Sequence, residues 1–189
     1  MVFAEQDVKR LLQEALKQAQ SEPDAGETRQ KIHLNRSRSW VKAVARQLKK
    51  RYEGDSEVRV FTKSDDSHRK DFGLNEMLYD ILVCRVGEVE SPLHKKKLYV
   101  IREVLWQVES ELAHNTRSSL VDFNKLVLGS AENKLFIASH GRKGAEDSLL
   151  KVLQPAATHC TGDVYVGMIP HPAKWPGSGD DVHLWFFGK

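Results

Sequence analysis

Cysteine is scarce in this chain, and long apolar runs are missing. Two cysteines among 189 residues are too few for a disulfide framework, which favours a reducing compartment. No apolar run approaches the length that a bilayer requires, so the sequence predicts no membrane span. The first residues lack a charged leader followed by an apolar block, so no signal peptide is expected. A cytoplasmic protein without a membrane partner is therefore expected.

A strong excess of one charge sign is missing as well. The formal net charge is only +3, so the overall charge does not by itself indicate a nucleic-acid partner. The length of 189 residues fits a single domain with a hydrophobic core. We divide this domain into an N-terminal helix with a linker (1–30), a central core (36–140), and a C-terminal part with a helix and a strand hairpin (141–189).

The hydrophobic pattern predicts helices and strands in alternation. Helical spacing of apolar residues predicts helices at 4–19, 38–52, about 119–128 and 145–157. Asn35 or Ser37 is expected to cap the second helix, and Ser118 or Ser119 the third. Strands are predicted at 58–62, 77–86, 98–112, 134–140, 163–169 and 182–188, although the early part of the third also fits a helix. This order predicts an α/β protein with a mixed sheet flanked by helices.

Acidic residues lie within or at the end of two of these predicted strands. Glu109 and Glu111 close the third strand, and their spacing places both side chains on one face of it. Asp80 interrupts the apolar run of the second strand, where an unpaired carboxylate is costly to bury. Lys125 lies on the following helix, and Asp122 precedes it by three residues on the same face. The pattern predicts a divalent-metal site beside a cationic group.

The succession of helix, three strands, helix and strand resembles the core of the PD-(D/E)XK nuclease superfamily. The resemblance implies a restriction-endonuclease-like αβββαβ core, with an extra N-terminal helix and extra C-terminal strands. It places the first acid on the second core strand, at Asp80, and the second acid on the third, at Glu109. Glu111 stands where the family usually has lysine, which makes a D…ExE motif, and Lys125 is placed for the lysine that some members carry on the next helix. Gln107 with Glu109 is an alternative pair.

The resemblance implies a hydrolase that cleaves phosphodiester bonds with Mg²⁺ or Mn²⁺. The expected metal ligands are Asp80, Glu109 and the backbone carbonyl of Ser110, because hard cations prefer oxygen. Glu111 is expected to hold the attacking water or a second metal ion. Lys125 is expected either to stabilise charge on the phosphate or to help deprotonate the water.

Basic residues are concentrated in the second predicted helix. From residue 36 to 52 this segment contains no acid, and a stripe opposite its apolar face consists of Arg38, Lys42, Arg46 and Lys49. Such a stripe can neutralise backbone phosphates, whereas a solvated face is the more ordinary role. A second cluster, Lys95, Lys96 and Lys97, either binds phosphates or keeps a hairpin tip soluble. We predict a nucleic acid, DNA foremost, as the partner.

Two further motifs give weaker indications of a binding site. The spacing of His159, Cys160, His171 and His183 matches no tetrahedral zinc pattern, so unrelated positions are expected for them. The run GRKG at 141–144 precedes a predicted helix N-terminus and is a weak signal for an anion site.

The sequence leaves three functions open. The first is a magnesium-dependent nuclease acting on DNA, for which a homodimer is one expected state because nucleases that cut both strands are commonly dimers. The second is a non-catalytic nucleic-acid-binding or assembly module that keeps a nuclease-like fold, which the missing strand lysine favours. The third is a hydrolase of small phosphoesters, which a narrow, closed pocket at Asp80 would favour over an open basic groove.

Overall fold

A computed structural model describes residues 4–24, 26, 28–141, 144–175, 179 and 181–188. Its helices are α1 (Glu5–Ser21), α2 (Arg29–Arg51), α3 (Arg69–Phe72), α4 (Thr116–Val127) and α5 (Ala145–Ala157), with a 3-10 turn at Pro172–Lys174. Its strands are β1 (Val58–Thr62), β2 (Ile81–Glu90), β3 (Lys97–Glu111), β4 (Asn133–Ser139), β5 (Asp163–Ile169) and β6 (His183–Phe186). In these ranges, no helix is both long and apolar enough to cross a membrane.

The strands form one mixed sheet whose spatial order is the order of the chain. β1, β2 and β3 pair antiparallel, β3, β4 and β5 pair parallel, and β6 returns antiparallel to β5. The parallel connections require crossovers, which α4 and α5 provide. The predicted α/β class with a mixed sheet and flanking helices is therefore confirmed.

Helices cover both faces of the sheet, and this decides where each strand residue points. On one face α1 and α2 share a buried core with Trp106 and Val108 of β3. On the other face α4 and α5 share a second core with Phe136 of β4. Because successive strand residues alternate between faces, Glu109 of β3 points away from α2 and toward α4.

Helix α2 begins at Arg29, not at residue 38 as predicted. Thr28 caps it, since its side-chain oxygen accepts a hydrogen bond from the backbone N–H of Lys31 at 3.2 Å. Asn35 and Ser37 therefore lie inside the helix and cap nothing. The early turns are polar, so they lack the apolar stripe on which the prediction depended, but they contain no helix breaker. The boundary that we placed at residue 36 falls within this helix.

Strand β2 spans Ile81–Glu90, not 77–86 as predicted. The antiparallel pairing with β3 extends from Ile81 opposite Val108 to Glu90 opposite Lys97. Strand β2 therefore continues four residues beyond its predicted end at residue 86. Residues 78–80 bend into the strand. Asp80 consequently lies just before the strand rather than within it. Its backbone is not part of the pairing between β2 and β3.

The start of α4 was also predicted incorrectly, whereas β3 lies within one residue of its predicted bounds. The early part of β3 is strand, so the helical alternative is wrong. Helix α4 is capped by Asn115, whose side chain accepts hydrogen bonds from the backbone N–H groups of Arg117 at 3.0 Å and Ser118 at 3.3 Å. The predicted cap positions 118 and 119 lie inside the helix. β1, α5 and β5 have the bounds that the sequence predicted.

A buried lysine joins the two crossover connections. Lys134 on β4 is fully buried, and its ammonium donates to the carbonyl of Gly129 at 2.9 Å and to the carbonyl and hydroxyl oxygens of Thr161 at 2.6 and 2.9 Å. Gly129 follows α4, and Thr161 follows α5. An ammonium has three N–H donors, so these contacts satisfy it and offset the cost of burying its charge.

Candidate functional site

The carboxylate of Glu109 is the centre of the candidate site. Only 2% of its side chain is exposed, and its Oε2 accepts a hydrogen bond from Lys125 Nζ at 3.1 Å. Its Oε1 is buried with no hydrogen-bond partner among the described residues. A buried carboxylate oxygen without a partner is energetically costly. This atom is therefore well suited to contact a cation.

Lys125 lies between two acids. Its Nζ is 2.8 Å from Asp122 Oδ1 and 3.1 Å from Glu109 Oε2. The predicted shared helix face of Asp122 and Lys125 is thus confirmed. The hydroxyl of Tyr79 donates to the backbone carbonyl of Lys125 at 3.3 Å, which ties α4 to the segment before β2. The ammonium is positioned from both sides.

Asp80 reaches the same region from the start of β2. Its Oδ2 accepts a hydrogen bond from the backbone N–H of Ser110 at 2.9 Å. This contact brings the backbone of Ser110, the residue after Glu109, against the Asp80 carboxylate. The charge of Lys125 acts on both acids. The structure thus brings Asp80, Glu109 and Lys125 into one electrostatic cluster, as their positions on neighbouring elements predicted.

The pKa values of this cluster are strongly shifted. Burial raises the pKa of Glu109 to about 8, and the charge of Asp80 adds to the rise, against the hydrogen bond from Lys125. Burial likewise raises the pKa of Asp80, against the hydrogen bond from Ser110 N–H. Burial disfavours the charged form of Lys125, but hydrogen bonds to Asp122 and Glu109 outweigh this effect and raise its pKa. Since Glu109 keeps its proton near neutral pH, a cation that binds there must displace that proton.

A cleft of about 450 Å³ opens beside Asp80. Its lining combines two acids, two cations, four hydroxyl side chains and one apolar residue: Ser37, Arg38, Val41, Thr62, Lys63, Ser64, Glu76, Asp80 and Ser110. The hydroxyl oxygens of Thr62 and Ser110 are buried with no hydrogen-bond partner among the described residues. A neighbouring cleft of about 270 Å³ shares Ser37, Val41 and Ser110 with it. The two clefts therefore adjoin beside α2.

Glu111 lies apart from the other two predicted carboxylates. Its Oε1 accepts a hydrogen bond from the backbone N–H of Ala113 at 2.8 Å, and it lines the smaller cleft with His33 and His171. In the described part of the chain, Asp80, Glu109 and Glu111 do not form a group of ligand atoms within 4.8 Å of one another. Asp80 and Glu109 form the pair on which a shared ion depends, with Glu111 as a neighbour.

The basic stripe of α2 is partly neutralised by acids from other elements. These contacts are Arg46 with Glu22 at 3.2 Å, Lys42 with the charge of Glu22, and Lys49 with Asp65. Arg38 is exposed, lines the cleft at Asp80 and has no ion pair among the described residues. The sequence pattern missed these acids because they precede or follow the helix on the chain. Arg38 is consequently the member of the stripe that belongs to the site.

The hairpin lysines 95–97 lie far from this site. Lys97 pairs with Glu88 at 2.7 Å and Lys95 with Glu90 at 3.7 Å. They are at the tip of the β2–β3 hairpin, whereas Asp80 precedes the other end of β2, about 30 Å away at about 3.3 Å per strand residue. The hairpin lysines do not line the cleft at Asp80. Arg142 and Lys143, of the run at 141–144, lie outside the described residues.

A polar cluster that the sequence analysis did not predict lies on another part of the sheet. It contains His140 after β4, Glu146 in the first turn of α5, and His183 at the start of β6, together with Asp181. His159, Cys160 and His171 do not belong to this cluster, so the four residues with irregular spacing are unrelated to one another, as expected. His183 instead meets His140. His140 and Glu146 are six residues apart, and this short spacing was the one available signal.

Comparison with known protein families, sequences and structures finds no relative of this chain. No family model matches the chain, and no curated protein or solved structure matches it either. The distances, burial and charges of the described residues therefore carry the functional interpretation.

Proposed function

We propose that this protein is a hydrolase that cleaves phosphodiester bonds, with DNA as the substrate and a divalent cation as the cofactor. One observation carries the proposal: Glu109 is buried where the charge of Asp80 acts on it, with one oxygen on Lys125 and the other without a partner among the described residues. This arrangement is similar to the D…ExE variant of the PD-(D/E)XK nuclease pattern. The lysine on the helix takes the place of the strand lysine.

The donor atoms fit Mg²⁺ or Mn²⁺. Both ions prefer oxygen ligands, and Mg²⁺ typically takes one or two carboxylates and keeps several waters. Asp80 and Glu109 would hold the ion, with the backbone of Ser110 beside them. When bound, such an ion neutralises the scissile phosphate and lowers the pKa of water.

Lys125 acts in this proposal as a fixed positive charge. Its raised pKa keeps the ammonium protonated across the neutral range, so it is unsuited to deprotonate water. Asp122 and Glu109 hold it in place, and a charge that is already positioned stabilises developing negative charge without reorganisation. Lys125 would therefore stabilise the phosphate and offset the repulsion between the two acids.

An extended substrate fits the two adjoining clefts better than a small phosphoester does. The two clefts adjoin through Ser37, Val41 and Ser110, so the concave surface continues past Asp80 in one direction. Arg38 and Lys63 line the same cleft as Asp80. Cations beside the reacting phosphate bind neighbouring phosphates of a chain without reading its sequence. A polynucleotide is therefore the substrate class that we propose.

The test is cleavage of plasmid DNA by the purified full chain in Mg²⁺, in Mn²⁺ and in EDTA. We expect metal-dependent cutting by the wild type. Asp80→Asn and Glu109→Gln should each reduce the rate by at least about 100-fold, because each removes a charge that acts on the transition state.

Glu53→Gln is the matched control. Glu53 is exposed and has no ion pair among the described residues, so its variant should cut like the wild type. Circular dichroism establishes that each variant is folded. Undiminished cutting by either site variant would contradict the assignment. Salt-sensitive DNA binding without any cutting by the wild type would instead indicate the non-catalytic module.

A further inference from the structure

We propose that His140, His183 and Asp181 form a second metal site, which takes a zinc-type transition-metal ion. One ligand atom from each of the three residues lies within 4.8 Å of the others. The site is separate from the Asp80 cleft and shares no residue with it. The inference does not depend on the proposed nuclease function.

Three elements bring the two imidazoles together. His140 directly follows β4, and His183 opens β6, which pairs with β5. Because β4 and β5 are neighbours, the two rings meet above β5, with their centroids 4.6 Å apart. Glu146 reaches them from the first turn of α5. The cluster is therefore supported by the sheet and by a helix, not by loops alone.

Glu146 occupies one nitrogen of each histidine ring and leaves the other nitrogen available to a metal ion. Its two oxygens contact His140 Nδ1 at 2.7 Å and His183 Nδ1 at 3.0 Å. An ionised carboxylate only accepts hydrogen bonds, so each Nδ1 must carry the proton. A carboxylate that orients metal-binding histidines in this way is a common feature of metal sites.

The remaining ring nitrogens face oxygen atoms of Asp181. His183 Nε2 is 3.2 Å from Asp181 Oδ1, and His140 Nε2 is 3.2 Å from the Asp181 carbonyl and 3.8 Å from Oδ2. A neutral imidazole with its proton on Nδ1 has only a lone pair at Nε2. Lone pairs that face oxygen atoms repel unless a cation lies between them. Either a proton on each ring or one metal ion supplies that positive charge.

The ligand set selects the type of metal. Two imidazole nitrogens and one carboxylate oxygen suit Zn²⁺ and similar ions, whereas Mg²⁺ prefers oxygen alone. Tetrahedral Zn²⁺ with bonds of about 2.0–2.1 Å holds its ligand atoms about 3.4 Å apart, so the set must contract slightly. Asp181 can make this movement, because 63% of its side chain is exposed.

A cleft lies on the Glu146 side of the two histidines. Glu146, which holds both histidines, also lines a cavity of about 400 Å³ between the N-terminal turns of α4 and α5. Three protein ligands leave one position of a tetrahedral ion open. An exogenous ligand or water is therefore expected to complete the coordination.

The experiment is a calorimetric titration of ZnCl₂ into the metal-free full chain, in excess Mg²⁺ so that oxygen-rich sites do not compete. We expect one equivalent of Zn²⁺ to bind. His140→Ala and His183→Ala should abolish this binding. Glu146→Gln should weaken it about 10- to 100-fold, as is usual when a residue that orients a metal-binding histidine is changed. With Co²⁺, the wild type should develop visible absorption that the His183→Ala variant lacks.

His159→Ala is the control, because His159 is an exposed histidine outside the cluster, and its variant should bind Zn²⁺ like the wild type. Absence of stoichiometric Zn²⁺ binding by the wild type would overturn the proposal, and so would undiminished binding by either histidine variant. If the histidine variants fail to fold, Asp181→Asn decides, since Asp181 is exposed. Unchanged affinity in that folded variant would equally count against the site.

Discussion

The carboxyl group of Glu109 shows how one residue can link stability, pH and cation binding. It is buried and paired with Lys125 on one oxygen. Its pKa rises to about 8 because burial and the charge of Asp80 disfavour ionisation. In the absence of a cation, the folded chain therefore keeps a proton that the unfolded chain releases at a lower pH. Stability must depend on pH through this residue.

The sign of that dependence follows from the raised pKa. The folded chain binds more protons than the unfolded chain between the ordinary pKa of 4.5 and the raised pKa of about 8. The contribution of Glu109 is therefore fully favourable below 4.5 and is lost as pH rises to about 8. We expect the stability of the wild type, relative to Glu109→Gln, to fall by on the order of 5 kcal/mol across this window. Urea unfolding in EDTA at several pH values measures this difference.

Added Mg²⁺ provides the second arm of this measurement. Above the raised pKa, Mg²⁺ should restore stability to the wild type and not to Glu109→Gln, because only the ionised carboxylate attracts the ion. Glu53→Gln should follow the wild type at every pH. A pH profile that is the same in the wild type and in Glu109→Gln would rule out the raised pKa.

Among the elements, α4 deserves the closest test because it carries Lys125. Asn115 caps this helix through two backbone N–H groups, and Lys125 lies near the opposite end. Loss of a side-chain cap typically costs about 1 kcal/mol. We expect Asn115→Ala to lower the free energy of unfolding by this amount in urea titrations.

Asn124→Ala is the matched change within the same helix. Asn124 is exposed in the interior of α4, where alanine has the better helix propensity. This variant should be as stable as the wild type or slightly more stable. Equal destabilisation by both variants would argue against a specific capping role of Asn115.

Elements with a strong and regular pattern could be predicted from the sequence, and elements that depend on pairing could not. β1, α5 and β5 have clear apolar periodicity and turn residues at their ends. The start of α2 depends on the Thr28 cap, and its first turns are polar. The bounds of β2 depend on register with β3, which apolar character alone cannot define.

For the molecule as a whole, the two clusters differ in how far the sequence could reveal them. Asp80, Glu109 and Lys125 lie on elements that follow one another along the chain and are neighbours in the fold, so their proximity could be predicted. His183 meets Glu146 only because β6 returns beside β5. The two are 37 residues apart, and the strand order that unites them does not follow from periodicity.

The proposed DNA contacts are also a property of the whole surface. Arg38 and Lys63 line the cleft at Asp80, whereas Lys96 lies at the hairpin tip, about 30 Å away by strand length. Each phosphate contact contributes about 1 to the slope of log K against log salt. We expect Arg38→Gln and Lys63→Gln each to reduce this slope by about 1 on a duplex of about 8 base pairs, measured by fluorescence anisotropy in EDTA.

Lys96→Gln should leave the slope on this short duplex unchanged. A duplex of about 8 base pairs is about 27 Å long at 3.4 Å per pair, too short to cover both places. A reduced slope for Lys96→Gln alone would indicate that DNA binds at the hairpin tip instead. No change in any of the three variants would argue against nucleic acid as the partner.

The buried ammonium of Lys134 has a mechanical consequence. It holds the turn after α4 through Gly129 and the turn after α5 through Thr161. If either turn moved away, the buried ammonium would lose hydrogen-bond acceptors. An unpaired buried charge costs far more free energy than the loss of an ordinary backbone hydrogen bond. Lys134 therefore links the two turns. We expect this end of the sheet to open as one unit rather than as two independent loops.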